Sequence, residues 1–537
     1  MRLLVAASFS SLLAAQALPP QPVPPQNPIT AAKATLGKLL FWEEQMSSNN
    51  RVACGTCHTF GAGGGDLRRT PNPGPDGIVP SPDDTFGSPG IARSDAANQY
   101  LPDPVFGFDP QIGKRTAPSV YLAAWFPALF WDGRAGGTFV DPDTGLTLIP
   151  TGGALENQTL GPLLAHDEMA HDGRLFAEAV QKLAASRPMA LASNLPPDMA
   201  AAVANGATYP DLFQAAFGTP DVTIARVAMA LATYERMLVP NQAPYDLFVA
   251  GNPQALTPQQ ANGLNVFNGP GRCNLCHTPG LFSDGQFRNL GLRPIAQDSG
   301  RQAITGNPAD AGKFKVPSLR NVGLRPSLMH TGQFTAVNQV FGFYLNGGGP
   351  NLANKDPLLV PLQVPPQAAN DLINFVVNGL TDPRVAQGLP PFDRPTLRSQ
   401  VMPPVGFQYG LGSPGSGGLV PRMLAEVPAN VGNPDWKLGI AAARGGAATT
   451  LVFDLLPGSQ VLGGVNVDLA LSGHELLVWG TLQGANGVAG AGYASLHLGL
   501  PADPGFVGLT LYAQWFVWDA GVPTGIATSR GAEVRFF

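Results

Sequence analysis

Apolar and polar positions follow one rhythm over the first four hundred residues and another after them. Residues 31–42 (AAKATLGKLLFW) put Leu36, Leu39, Leu40, Phe41 and Trp42 on one side of a short amphipathic helix. From Arg174 to Leu238 three further helical patterns follow, LFAEAVQKLAA, DLFQAAF and IARVAMALATYERML. QQANGLNVFN, after Pro258, and residues 368–380 add two more. Beyond Met402 the period shortens to two: TTLVFDL (449–455), VNVDLAL (465–471), ELLVWGTL (475–482), ASLHLGL (494–500), VGLTLYAQWFVW (507–518) and EVRFF (533–537). Gly, Pro and Asn separate these runs, so they predict the short strands of a β-sandwich. Residues 61–110, rich in Gly, Pro and Asp, show neither rhythm and predict a long loop.

Composition bounds the reading. A chain of 537 residues has room for several domains. Gly 65 and Pro 54, against only 13% charged residues, agree with long loops. A net charge of −5 gives no reason to expect nucleic acid. Arg2, the apolar run Leu3 to Ala15 and the sequence Ala15-Gln16-Ala17 read as a signal peptide over residues 1–17. That run is too short to span a bilayer, and no later span is evident, so a periplasmic or secreted protein is expected. Residues 18–29 (LPPQPVPPQNPI) predict an extended, solvated spacer.

Cys54-Gly55-Thr56-Cys57-His58 and Cys273-Asn274-Leu275-Cys276-His277 use all four cysteines of the chain. In each CxxCH, two thiols on one turn can hold a haem as thioethers while the following imidazole ligates the iron. CxxC pairs also ligate zinc, but a structural zinc site does not need a His directly after the second Cys in both copies. Two covalently bound haem c groups are therefore expected, with His58 and His277 as proximal ligands. The arrangement repeats: helix, haem motif, Gly-rich loop, further helices. KFKVPSLRNVGLRPSLMHTG, Lys313 to Gly332, echoes Lys114 to Gly133. The predicted organisation is a mainly α pair of cytochrome c-like haem domains (30–250 and 251–395), a linker (396–421) and an all-β module (422–537). The 61–110 loop is then a lid, a partner-docking surface or an irregular wrap around the first haem.

LGKLLFWEEQMSSNNRVACGTCH, FWDGRA, QTLGPLLAHDEM, FNGPGRCNLCH and FKVPSLRNV, in this order, resemble the bacterial di-haem cytochrome c peroxidase/MauG family over roughly residues 30 to 395. The β module lies outside the resemblance. The resemblance implies a peroxidase-type oxidoreductase that uses hydrogen peroxide at the first haem. Electrons would come from a small redox protein, such as a cytochrome c or a cupredoxin, or from a protein or organic reductant. Glu168 matches the family's distal glutamate and Gln158 its distal glutamine. Trp131 matches the tryptophan between the haems. Arg134 and Asp132 would tie down that turn or meet a propionate.

No His or Met occurs between His58 and His166, which favours an open first iron; His166 and His171 are the rivals for its vacant side. For the second haem the resemblance points to Tyr344 as sixth ligand, in competition with Met329 and His330. The family's calcium site between the haems is altered here, with Thr116, Arg325 and Ser327 at its positions, so calcium is a doubtful cofactor. Ala165, His166 and Ala170 also depart from the family pattern around Glu168. Other readings stay open: an oxygenase using dioxygen, resembling rubber-cleaving enzymes; a pure electron carrier; and a β module that attaches the haem unit to a surface or polymer.

Overall fold

The computed structural model describes residues 16–402 and 406–537. The signal peptide expected over 1–17 lies almost wholly outside the described residues. Among them, no helix is long and apolar enough to cross a membrane.

The first lobe is built around the helix Ala31–Phe41, whose N-terminus is capped by Thr30 Oγ1 accepting the Lys33 amide (3.3 Å). It crosses the long helix Ile224–Met237 at Gly37, where a Cβ would come within 2.0 Å of the Ala230 carbonyl oxygen. The second lobe repeats this crossing. Its helix Pro258–Asn268 lies on Pro366–Asn374, and a Cβ on Gly263 would meet the Asp371 oxygen at 2.1 Å. Each lobe has its own apolar core. Leu39, Phe41, Trp42, Phe60 and Leu231 fill the first; Phe267, Phe282, Leu372 and Phe375 fill the second.

The repeat read from the sequence extends to the backbone. Leu122 and Asn321 both take positive φ (61° and 59°), as do Phe130 and Met329 (63° and 65°). The bridge Leu129–Ala135 matches Leu328–Phe334. Equivalent segments then exchange hydrogen bonds: the Thr116 amide donates to the His330 oxygen (2.9 Å) and the Lys315 amide to the Trp131 oxygen (2.8 Å). Reciprocal bonds of this kind are what a two-fold arrangement of similar halves produces.

The expectation of a mainly α haem region is too coarse. Helices form its cores, but small two-stranded ladders are set among irregular segments. The 61–110 stretch contains two of them: Thr70–Asn72 pairs with Thr85–Gly87, and Pro89–Ala92 pairs with Pro110–Ile112 across a register shift. Frequent Gly and Pro break helices there, and short ladders satisfy the backbone instead.

The expected spacer over 18–29 is largely exposed but anchored at points. Pro19 accepts the Trp125 indole N–H, and Asn27, fully buried, donates to Glu156 (2.8 Å) and accepts from Lys33 (2.9 Å). The described parts of 396–421 are also tied down. Thr396–Leu397 pairs with Ala192–Ser193, and Phe407–Tyr409 pairs with the last strand, Gly531–Arg535.

Beyond residue 406 the chain forms a six-stranded antiparallel sheet, which includes Ala448–Asp454 and Thr510–Trp518, and a three-stranded sheet of Arg422–Leu424, Lys437–Ala443 and Gly492–His497. Leu438 and Ile440 from the smaller sheet meet Leu451, Phe453, Trp515 and Val517 from the larger in one core. This is the two-layer packing that alternating apolar positions produce. The module lies against the first lobe through Asn50–Asn430 (3.1 Å), the Lys182–Asp435 ion pair and Arg422–Asp109.

Candidate functional site

Both CxxCH motifs form tight turns. Cys54–Cys57 is one helical turn and Cys273–Leu275 a 3-10 turn; the His58 amide returns to the Cys54 oxygen (3.0 Å) and the His277 amide to that of Cys273 (2.8 Å). His58 Nδ1 lies 3.1 Å from the Gly64 oxygen and His277 Nδ1 lies 3.0 Å from that of Phe282. A carbonyl only accepts, so both Nδ1 atoms carry the proton and both Nε2 atoms keep the lone pair that a metal needs. Burial pushes both imidazoles below their usual range, toward the neutral, ligating form.

The second lobe holds a cavity whose wall includes Cys273, Cys276, His277, Tyr344, Met329 and His330. On the same wall, His330 Nε2, Arg288 Nε and Arg293 Nε are buried without a hydrogen-bond partner. Buried donors left over around a largely apolar cavity fit a bound group that is flat, apolar and edged with carboxylates, as haem is. All three rivals for sixth ligand share this cavity with His277. His330 is the most constrained of them: its ring stacks on Phe314 (3.6 Å between centroids), and burial lowers its pKa to about 3.

In the first lobe, Glu168 is half-buried and follows closely on the helix Ala154–Leu164. Its charge is felt at the Cys54 and Cys57 sulfurs. Burial, then Asp167, pushes the carboxyl up to about 7, with Arg134 acting in the other direction. The backbone is pinned from outside by Gly90, where a Cβ would come within 2.2 Å of the Asp167 oxygen. His171 is engaged through both ring nitrogens, His166 through Nδ1 alone. His166 Nδ1 is 2.9 Å from Gln111 Oε1; His171 contacts Ser48 Oγ (2.9 Å) and Glu178 (3.3 Å).

Gln158 lies on the helix Ala154–Leu164. Glu156 fixes this helix through a fully buried bidentate pair with Arg236 (2.8 and 3.0 Å). Among the described residues, neither Gln158 nor Glu168 spends its side chain on a protein hydrogen bond.

Trp131 sits where the lobes meet. Its indole donates to the Thr116 oxygen (2.8 Å), and its ring is 6.2 Å from that of His330. Trp131 and His330 occupy equivalent places in the two repeats, a relation already present in the echo between 114–133 and 313–332. Asp132 binds Arg134 (3.0 Å) and Arg115 (2.7 Å), and Arg115 continues to Asp298 of the second lobe (2.7 Å). Arg134 also lies 3.5 Å over the Phe130 ring, so it ties down its own turn. Sequence reasoning missed the Arg115–Asp298 link, because nothing local in either segment names the partner.

The altered calcium positions do not fit a divalent cation. Thr116 Oγ1 donates to the Met329 oxygen (2.9 Å), and Arg325 donates to the Ala117 oxygen (2.7 Å). The Arg325 guanidinium is deep enough that burial lowers its pKa to about 10, and a second cation beside it would be repelled.

A profile of the di-haem cytochrome c peroxidase family matches residues 31–254. The cytochrome c551 peroxidase of Pseudomonas aeruginosa is 30% identical over 330 residues, 58% of this chain and 73% of that protein. The methylamine utilization protein MauG of Methylophilus methylotrophus is 28% identical over 327 residues, 60% of this chain and 75% of its own length. Among solved structures, that of a MauG-like protein associated with microbial copper homeostasis aligns with a TM-score of 0.51 and 25% identity, covering 70% of this chain and 96% of the other.

Proposed function

Because the chain belongs to the di-haem cytochrome c peroxidase/MauG family, we propose that it is an exported enzyme that reduces hydrogen peroxide in the first lobe and handles electrons through the second. Cys54, Cys57 and His58 would hold one haem, and Cys273, Cys276 and His277 the other, with Tyr344 as further ligand on the second. The haems supply the redox chemistry when bound. The chain supplies proton handling, access and the route between lobes.

Glu168 carries this reading. A half-buried carboxyl with a pKa near 7 can take a proton from incoming peroxide and return it to the leaving oxygen as water. Gln158, with its amide uncommitted, would orient the oxygen atoms of the peroxide. Trp131, with His330 behind it, stands on the path between the lobes. The reductant is a small redox protein or an organic or protein substrate oxidised at the surface.

The decisive experiment is electron paramagnetic resonance of the haem-loaded ferric protein, followed by anaerobic peroxide. One high-spin and one low-spin haem, with peroxide consumed, is the expected result. Two low-spin haems inert to peroxide would leave an electron carrier. Oxygen uptake without peroxide would identify an oxygenase.

A further inference from the structure

We propose that the C-terminal β module is part of the reaction centre, with Lys437 a positioning residue that holds the segment around Glu168 through two buried hydrogen-bonded routes. The inference rests on the reading of Glu168 given above. Lys437 begins a strand of the smaller sheet and is 1% exposed. Its ammonium donates to Ser94 Oγ (2.7 Å), the Asn98 carbonyl (2.7 Å) and Asn98 Oδ1 (2.8 Å), and lies 4.2 Å from the centre of the Tyr100 ring. A buried lysine with every proton matched is a fixed point, because each acceptor would lose its partner if the chain moved.

One route runs from Asn98. Its amide donates to the Ser48 oxygen (3.2 Å), the Ser48 amide donates to the Met169 oxygen (2.9 Å), and Ser48 Oγ accepts the His171 amide (3.0 Å). The other runs from Ser94, whose carbonyl accepts the Asp172 amide (2.8 Å), while Arg93 pairs with Asp172 (3.1 Å). Ser48, Ser94, Asn98 and His171 are all buried. Both routes end within four residues of Glu168, and the neighbouring strand Pro89–Ala92 presses Gly90 onto its backbone. Further contacts hold the same loop to the module. The Tyr100 amide donates to Ser495 Oγ (2.9 Å), and the His497 ring donates to the Ala97 oxygen (3.1 Å). Burial lowers the Lys437 pKa to about 7, with Glu426, Asp435 and Asp95 acting to raise it and Lys182 to lower it, so the three-bond link is complete below that pH. A module that only attached the protein to a surface would not need such a link to the segment around Glu168.

The test uses the full haem-loaded chain with N98G, K437M and E168Q. Asn98 has φ 55°, so glycine keeps the turn while removing the side chain that joins Lys437, Ser48 and Asp435. N98G and K437M are expected to retain both haems and lose on the order of tenfold to a hundredfold in kcat/KM for peroxide. The pKa of the pH–rate limb should move down as water reaches Glu168. In N98G, hydrogen exchange at the Ser48 and Asp172 amides should accelerate while the β-module amides stay protected. N98G should add nothing further in an E168Q background. Unchanged rate and pH limb in both variants would overturn the proposal. So would a loss that persists at full size in E168Q. If E168Q alone leaves the rate unchanged, the role given to Glu168 fails instead, and the exchange data still report whether the link exists.

Discussion

Substituting Glu168 by Gln keeps the size of the side chain and removes its ability to exchange a proton. With the carboxyl pushed up to about 7, wild-type Glu168 is about half ionised at neutral pH and almost fully ionised a unit or two above. At about pH 5 only roughly one molecule in a hundred carries the carboxylate. If the carboxylate is the base, kcat/KM should rise about a hundredfold from pH 5 to a plateau above pH 8, with its midpoint near 7. Positioned proton transfer contributes roughly 10²- to 10⁴-fold, so E168Q should fall by at least the lower figure on the plateau. Its profile should be flat, so the gap to wild type should narrow about a hundredfold by about pH 5, where wild type is mostly protonated. Stopped-flow consumption of peroxide by the pre-reduced protein, across this pH range, measures both curves. A variant within about threefold of wild type on the plateau, or one that keeps a limb near 7, would refute the assignment.

Glu156→Ala leaves the Arg236 guanidinium, 1% exposed, without its bidentate partner, and should destabilise the first lobe by about 3–5 kcal/mol in urea unfolding followed at its haem. Cys273→Ala together with Cys276→Ala should reduce covalently bound haem from two per chain to one, by mass spectrometry. The first lobe should keep its haem, since its core is filled by its own residues.

The two CxxCH motifs, the repeat and the change of hydrophobic period were legible from the chain alone. Each is a local pattern: a ligand set within five residues, a helix with an apolar face, a strand with alternating faces. Predicted strands at 449–455 and 465–471 correspond to Ala448–Asp454 and Val465–Leu469, and the predicted helix at 31–42 to Ala31–Phe41. What the chain could not announce is which distant groups meet. Asn27 reads as part of a proline-rich spacer until Glu156 and Lys33 enclose it. No motif in the chain singles out Lys437, whose three protons Ser94 and Asn98 take in the folded protein. The residue types for two haem sites are written along the sequence. The pKa of Glu168, the pairing of Trp131 with His330 and the link from the β module to the segment around Glu168 depend on burial and on contacts between segments far apart in number, and these exist only once the chain has packed.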